Sequence, residues 1–566
     1  MKIFKKIILV VTIAAVLATS TGCQLINAII KLYNPPAYSQ RKYVEPDEEA
    51  ISKLAEEVKT LSQSAGNKQS IVLKRNSFYT AYYQVLTSRL IAELEYYKNI
   101  NDEAAKERSQ YIDNYFNKLQ NTAIEMEKTL LTSSYADMII ESAGQDYADR
   151  ILSQPVKTEQ LLTAEAKENE LMANYSALYA EAGAEGRKTD EFKDNVATIL
   201  KDLVVTRNEI ASLNKNDDGT AYANYHDYAY AEIYGRDYTP DTANTFRQAV
   251  SENLYEIGKK LNSSRADYTT TEGRTAPLSE YQLKQLMPKI IKATASDMLK
   301  NWDYMISLGL YDFSVSPNKL NSSFVAEFQQ YGDGFMFINA TGSLVYDLST
   351  VIHEFGHYNA IFAADPDKAG NGATYSYDLA ETDSQCFELL TLPAVKTVLN
   401  DNSLGYTYNT YEYNLLTESV WSMLSNCIFD EFEYTIYNAQ ESELTRDFFE
   451  SSFDRIWKKY WSVNAETGEK MYDYYDITHI FRSPSYCISY SVSMIFSSEI
   501  WALSESPVNT YLNVVSYGQD HYIGEVASAV GLADPFSPET VKQIADAYKS
   551  ELNQTFGITF DNTSLI

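Results

Sequence analysis

The sequence predicts a mainly α-helical protein with one small β-sheet. From residue 47 to 215 the chain is rich in Ala, Glu, Lys, Leu and Tyr at helical spacing, with few stretches that favour strands. The convincing strand region lies at 322–346, where the β-prone run 335–339 follows two glycines. Helical patterns dominate again from residue 348 to the end. We therefore expect the sheet to be a minor part of the fold.

Two helix starts are marked by a hydroxyl residue followed by proline. Thr239-Pro240 and Ser537-Pro538 each place a capping side chain directly before a proline. The fixed φ of proline suits the first position of a helix. We predict helices that begin at residues 240 and 538.

The length and the charge of the chain limit what it can be. A chain of 566 residues exceeds the usual size of one domain, so about two or three structural units are expected. The formal net charge of -30 would repel the phosphates of nucleic acids. The charge thus excludes nucleic acid as a partner and leaves the oligomeric state open.

The first residues have the pattern of an export signal. Three lysines precede an apolar run at 7–18, and small residues at 19–22 lead to Cys23. The arrangement resembles a bacterial lipoprotein signal at 1–22 and predicts that lipid on Cys23 anchors the chain to the outer face of the cell membrane. Residues 23–46 are predicted to form the tether behind the lipid. The alternative is an ordinary secreted protein in which Cys23 is incidental.

Three cysteines remain after Cys23: Cys386, Cys427 and Cys487. They are odd in number and widely spaced, which does not indicate a disulfide framework. We predict that they are buried free thiols.

The segment His353-Glu354-Phe355-Gly356-His357 fits the H-E-x-x-H pattern of a zinc site. Histidines four residues apart lie on one face of a helix, so both imidazoles can reach one ion. Glu354 lies beside them and can take a proton from the attacking water. The alternative is a buried helix that carries two core histidines.

A catalytic zinc ion requires a third protein ligand, which leaves one position for water. Downstream of the motif, Glu381 and Glu388 share one face of a predicted helix. Glu381 is predicted to complete the metal site, and Glu388 to accept the free N–H of a ligand histidine. Asp347 and Asp378 compete for that second role, and solvated surface charge is the alternative for Glu388 and Asp378.

These residues resemble the thimet oligopeptidase and oligoendopeptidase F family of zinc metallopeptidases. Glu381 lies 28 residues after His353, in the context Glu-x-x-Ser-Gln-x-x-Glu. Three further segments are similar to the family: 335–353 before the motif, 224–232 at the start of the catalytic region, and 531–539 near its end. The motif and its surroundings together carry the resemblance.

The resemblance covers residues 206–562 and implies an elongated helical body with a deep channel and a small sheet beside the motif helix. It divides the chain into an N-terminal helical domain at 47–205 and a catalytic domain at 206–566. It further implies one zinc ion per chain and hydrolysis of internal peptide bonds. Such a channel admits short unfolded peptides and excludes folded proteins.

The resemblance also implies substrate contacts from His479, Tyr486 and Tyr490. In the family, a histidine and tyrosines of this region donate hydrogen bonds to the substrate carbonyl and stabilise the oxyanion. Serines interrupt the family pattern here, which leaves the register of the tyrosines open by one turn. Ala360 stands where the family often has a further histidine, a departure that leaves the ligand set intact.

The segment from Phe335 to Ala340 is expected to be an edge strand that borders the cleft. Its free N–H and C=O groups would pair with an extended peptide, as in strand addition. The alternative is a central strand with no free edge.

Three other functions remain open at this point. The first is a lipid-anchored peptide-binding protein without catalysis, against which the intact Glu354 argues, because a binder needs no base. The second is a structural helical lipoprotein with an incidental motif. The third keeps the chemistry but removes residues from peptide ends.

Overall fold

A computed structural model describes residues 34–153, 158–216, 219–365, 368, 375–462 and 470–560. The predicted lipoprotein signal at 1–22 and Cys23 lie outside these residues and stay predictions. Within the described ranges, no helix combines the length and the apolar character that crossing a membrane demands.

The chain forms two compact units, each built from separate stretches of sequence. Unit 1 comprises Met1–Gln154, Ser279–Lys284 and Ser296–Gly342, and unit 2 comprises Pro155–Leu278, Gln285–Ala295 and Ser343–Ile566. Residues 155–278 thus fall in the same unit as the H-E-x-x-H motif. The domain boundary at residue 205 that the family resemblance implies stays a prediction.

Helices dominate both units, which confirms the predicted fold class. In chain order they are α1 (Glu48–Ser62), α2 (Lys68–Lys98), α3 (Glu103–Leu131), α4 (Ala136–Ala143), α5 (Gln145–Ser153), α6 (Glu159–Gly186), α7 (Asp190–Leu213), α8 (Tyr225–Tyr228), α9 (Pro240–Tyr268), α10 (Thr271–Thr275), α11 (Glu280–Thr294), α12 (Leu299–Leu308), α13 (Leu344–Ala363), α14 (Tyr377–Asp401), α15 (Tyr408–Tyr437), α16 (Arg446–Tyr460), α17 (Thr478–Arg482), α18 (Ile488–Leu503), α19 (Pro507–Val515), α20 (Ile523–Ala529) and α21 (Pro538–Phe556). A π-helical turn, Ala229–Ile233, follows α8 directly.

Local sequence signals account for several of these boundaries. Helix α9 begins at Pro240, and the Thr239 side chain accepts a hydrogen bond from the backbone N–H of Thr242. Helix α21 begins at Pro538, directly after Ser537. Both predicted helix starts are therefore confirmed.

The core of unit 1 is a helical bundle formed mainly by α1, α2 and α3. Apolar side chains at helical spacing, such as Ile71 and Phe78 of α2 and Ile112 and Phe116 of α3, are buried against one another.

The three remaining cysteines of the chain, which belong to unit 2, are buried free thiols as predicted.

The sheet of unit 1 has three strands: β1 (Tyr311–Asp312), β2 (Phe324–Phe328) and β3 (Asp333–Phe337). Strand β3 lies in the middle, parallel to β1 and antiparallel to β2. The prediction of an edge strand at Phe335–Ala340 is therefore wrong. The sheet leaves no free edge on β3 with which a peptide could pair.

The physical reason lies in the composition of β3. All five of its residues are buried, and a continuous apolar run is typical of a strand covered on both faces. The pairing also continues beyond the strand, because the N–H of Ile338 donates to the carbonyl of Asp312 at 3.0 Å and Ala340 bridges Val315.

The described part of the predicted tether, residues 34–46, packs into unit 1. Arg41 is only 4% exposed and forms a two-pronged ion pair with Asp333, with N–O distances of 2.6 and 2.7 Å. Its guanidinium also lies over the rings of Phe328 and Tyr331. The tether prediction is wrong for this stretch, since a buried ion pair fixes it to the sheet.

Candidate metal centre and active site

The motif helix α13 and the next helix α14 approach each other closely at Gly356. A Cβ added there would lie 2.6 Å from the Cα of Ser384 and would also clash with the carbonyl oxygen of Asp383. Only glycine allows this approach without displacing backbone. The contact brings Glu381, one turn before Ser384, beside the histidines of α13.

The three predicted ligands meet at one point. The ligand atoms of His353, His357 and Glu381 all lie within 4.8 Å of one another. Oε2 of Glu381 lies 3.9 Å from Nε2 of His353 and 3.7 Å from Nε2 of His357. Two imidazole nitrogens and a carboxylate oxygen are the donor set of a His₂Glu zinc site.

The environment of these donors fits a cation. Oε2 of Glu381 is buried and has no hydrogen-bond partner among the described residues. A buried carboxylate oxygen without a partner is costly, and a metal ion would supply the missing interaction. Oε1 of the same carboxylate accepts a hydrogen bond from the hydroxyl of Tyr486 at 2.9 Å. Oε1 is thus hydrogen-bonded within the protein, and Oε2 remains available to bind a metal ion.

Glu388 orients the first histidine. Its Oε1 lies 2.7 Å from Nδ1 of His353, and its Oε2 accepts a hydrogen bond from Ser349. If Nδ1 carries the proton that Glu388 accepts, the lone pair of Nε2 faces the metal position. The structure places Glu388 in this role, rather than Asp347 or Asp378.

The same neighbours shift the protonation of the site. Burial lowers the pKa of His353, but the combined attraction of Glu388, Glu354 and Glu381, with Glu388 contributing most, raises the pKa to about 10. Burial and repulsion from His353 lower the pKa of His357 to about 3. Burial also raises the pKa of Glu354 to about 7, against the attraction of His353. Glu354 can therefore gain or lose a proton near neutral pH, as a general base must.

The position of Glu354 also suits a group that exchanges protons with a bound molecule. Its side chain is buried beside the two histidines, and its Oε2 has no hydrogen-bond partner among the described residues. A carboxylate oxygen that the protein leaves unpaired is free to accept a proton from a bound molecule.

His479, Tyr486 and Tyr490 form one aromatic cluster beside the ligands. The rings of His479 and Tyr486 are stacked 5.9 Å apart, and Tyr490 lies 5.1 Å from Tyr486 and 6.0 Å from His479. His479 and Tyr490 line the same cavity of ≈ 530 Å³ as His353. The structure therefore brings all three predicted residues to the metal position, and their role as oxyanion donors stays a prediction.

A set of buried side chains that sequence reasoning missed holds the loop before α18. The hydroxyl of Tyr234 donates to the backbone carbonyl that precedes Ser485, and Arg236 donates to the carbonyl of Tyr486. The N–H of Ser485, whose φ is +66°, donates to Glu433 at 2.9 Å. No local signal indicates these contacts, because the partners lie 52 to 250 positions apart.

A comparison with family models matches residues 305–546 to peptidase family M3. This match confirms the family resemblance drawn from the sequence. It includes the motif, the third ligand and the aromatic cluster. No curated protein sequence matches the chain closely enough to count as a relative.

Solved structures share the fold over most of the chain. PZ peptidase A, determined with an inhibitor, has 18% identity and a TM-score of 0.69 and covers 92% of this chain and 99% of its own. A protein of Bacillus anthracis assigned as an oligoendopeptidase F has 17% identity, the same coverage and a TM-score of 0.69. The oligoendopeptidase F of Enterococcus faecium has 16% identity and a TM-score of 0.54 over 90% of this chain and 97% of its own. At this identity the likeness shows the fold.

We predict that Gly356→Ala weakens metal binding. The added methyl group must push α13 from α14, which moves Glu381 away from the histidines. Overpacking of this kind costs about 1–3 kcal/mol, so zinc affinity should fall by about 5- to 150-fold. Zinc per chain, measured after dialysis against buffers of fixed free zinc, tests this expectation.

Gly524→Ala is the matched control. Gly524 lies in helix α20, and a Cβ added there meets nothing within 4 Å. It should leave the zinc affinity unchanged. Equal zinc affinities in the two variants would contradict the close-approach argument.

We predict that zinc binding releases a proton from His353 at pH 7. The pKa of His353 in the metal-free protein is about 10, so the ring is protonated and must lose a proton to bind. His357, with a pKa of about 3, is already neutral. Zinc affinity should therefore rise with pH from 7 towards 10. Calorimetry in buffers of different ionisation enthalpy measures the protons released.

Glu388→Gln removes the charge that raises this pKa, so it should reduce the proton release. The comparison is made in Glu354→Gln protein, so that proton exchange at Glu354 does not contribute to the signal. Undiminished proton release in the Glu388→Gln variant would contradict the assigned partnership.

Proposed function

We propose that the chain is a zinc-dependent endopeptidase that cleaves internal bonds of short peptides, because residues 305–546 match the model of peptidase family M3. The observation that carries this proposal is the convergence of His353, His357 and Glu381 with Glu354 beside them. The family match supports peptide hydrolysis, and the donor set supports zinc as the metal.

Three residues would bind the metal ion, and two further residues would hold those ligands in position. His353 and His357 would bind through Nε2, and Glu381 through the oxygen that lacks a partner. Glu388 fixes the ring of His353, and Tyr486 fixes the other oxygen of Glu381. When bound, zinc supplies Lewis-acid polarisation of the scissile carbonyl and of water.

Glu354 would carry protons through the reaction. Its unpaired oxygen takes a proton from the attacking water, and the same carboxyl then gives that proton to the leaving amine. Burial raises the pKa of Glu354 to about 7 in the metal-free protein, so the site already favours a carboxyl group that can accept and release a proton.

The aromatic cluster would stabilise the oxyanion. Hydrogen-bond donors aimed at the developing charge contribute about 3 kcal/mol each. Tyr486 donates to Glu381 in this structure, so it must exchange that acceptor for the substrate oxygen to act. Tyr490 and His479 complete the set of donors that the family resemblance implies.

We further propose the partners and the location of the protein. Short unfolded peptides would be the substrates, admitted by the channel that the family fold implies. Lipid on Cys23, added after removal of residues 1–22, would hold the chain on the outer face of a bacterial cell membrane. The N-terminal sequence pattern supports the anchor, and the net charge of -30 argues against nucleic acid.

We predict that Glu354→Gln keeps zinc but lowers hydrolysis by about 100- to 10,000-fold, because amide and carboxyl have similar shape and only the base is lost. Zinc content and the digestion of a mixed peptide library are measured on the same samples. Glu505→Gln, which removes one exposed charge outside the cavities described in this chain, should digest like the wild type.

Product masses from the same digest separate the remaining functions. Internal cuts support an endopeptidase, whereas single residues lost from peptide ends would identify an exopeptidase. Peptide binding without any product would identify a binding protein. Efficient digestion of denatured casein would contradict the preference for short peptides.

We predict that Cys23→Ser releases the protein from the cell membrane or leaves the signal uncleaved. Serine cannot take the thioether-linked lipid. Fractionation of cells and extraction into detergent measure the effect. Membrane-bound, fully processed protein in this variant would refute the lipid anchor.

A further inference from the structure

Two cavities of unit 2 meet at His353. The larger has a volume of ≈ 530 Å³ and the smaller one of ≈ 270 Å³, and both are lined by His353, Glu388, Leu415 and Glu418. None of the described residues that line these two cavities is a lysine or an arginine. A bound peptide at the metal position would therefore have a negatively charged recess beside it.

Glu418 is the acidic group of this recess that has no partner. It is exposed to solvent in the cavity, and among the described residues it forms no hydrogen bond or ion pair. Glu388, by contrast, is bound to His353 and Ser349. The surrounding protein and the charge of Glu388 raise the pKa of Glu418 to about 7, opposed by the more distant Arg265. A cation in the recess would offset the repulsion between Glu388 and Glu418.

Asn414 points independently to a ligand at the same place. It lines the smaller cavity one turn before Glu418 on α15 and is only 5% exposed. Its Nδ2 has no hydrogen-bond partner among the described residues. Buried amide donors are normally paired, so this N–H suits an acceptor that arrives with a ligand, such as a peptide carbonyl.

The apolar part of the smaller cavity suits the stem of a long side chain. Val345, Tyr346 and Leu415 lie on the wall that leads to Glu418. Lysine and arginine bury aliphatic stems along such surfaces and keep the charged end near a carboxylate. Sites for whole small molecules typically have volumes of about 300–1,000 Å³. The smaller cavity lies below this range, which favours a single side chain as its occupant.

We infer that the smaller cavity is a subsite for a lysine or arginine side chain of the substrate, with Glu418 as its ion-pair partner. Asn414 donates to a carbonyl of the same peptide. The inference rests on the proposed peptidase function and adds a substrate class to it. Peptides with a basic residue near the cut bond are then preferred over neutral ones.

The test uses sets of short peptides that differ at one position. Each position near the cut bond carries lysine, glutamine or glutamate in turn, and every peptide has an acetylated N-terminus. One further peptide has a free N-terminus and no lysine, so that binding of a terminal ammonium group is measured separately. The ratio of kcat/KM for the lysine and glutamine peptides is measured for the zinc-loaded wild type, Glu418→Gln and Glu505→Gln.

At one position the wild type should prefer lysine over glutamine about tenfold or more. Glu418→Gln should bring that ratio close to one, and Glu505→Gln should keep it. Glu418→Lys should favour glutamate at the same position, an outcome that a misfolded protein cannot produce. Asn414→Leu should raise KM for lysine and glutamine peptides alike.

Three outcomes would overturn the inference. They are a wild type without preference for lysine, a preference that survives in Glu418→Gln, and a preference confined to the free N-terminus. If no peptide is hydrolysed, the proposed function fails, and the same peptide sets are titrated onto the wild type and Glu418→Gln by fluorescence anisotropy. Equal dissociation constants for lysine and glutamine peptides would then overturn the subsite as well.

Discussion

The contact between α13 and α14 at Gly356 is the constraint on which the candidate site depends. The backbone of Asp383 and Ser384 occupies the space that any larger residue at position 356 would need. This approach sets the distance between two helices that each carry part of the metal site. Because Oε2 of Glu381 lies less than 4 Å from both imidazoles, a small separation of the helices would break the ligand set.

Charge is the second constraint, because the site gathers three glutamates and two histidines in buried or half-buried positions. Glu354, Glu381 and Glu388 each interact with His353, and burial raises the pKa of Glu354 and of Glu381. The Glu388–His353 pair offsets part of the cost of this burial, and a divalent cation would offset more. In the metal-free protein, burial raises the pKa of Glu354 to about 7, and a bound cation would favour the carboxylate form that accepts a proton.

The sequence predicts which residues meet at the candidate metal site because these residues obey local periodicity. His353 and His357 are one helical turn apart, and Glu381 and Glu388 share one face of the next helix, so each pair could be placed before any tertiary contact was known. The helix starts at Pro240 and Pro538 rest on equally local rules. The aromatic cluster is different, since tyrosine is common throughout the chain, and only the family resemblance indicated Tyr486 and Tyr490.

Long-range pairing accounts for what the sequence did not predict. Strand β3 is central because β1 pairs with it, and a strand of two residues leaves no pattern to recognise. The polar sequence around Arg41 indicated a linker, because its ion-pair partner Asp333 lies 292 positions away and leaves no local signal. The supports of the loop before α18 and the partnerless Glu418 are also tertiary features. In each case the composition of the segment does not indicate which distant part of the chain packs against it.

The central claim is that His353, His357 and Glu381 hold one zinc ion with Glu354 beside it. Crystals of the zinc-loaded protein, measured on both sides of the zinc absorption edge, test it most directly. The account predicts one anomalous peak per chain, about 2.0–2.2 Å from the Nε2 atoms and from an oxygen of Glu381. A peak at another place, or none at this site in protein that hydrolyses peptides, would contradict it.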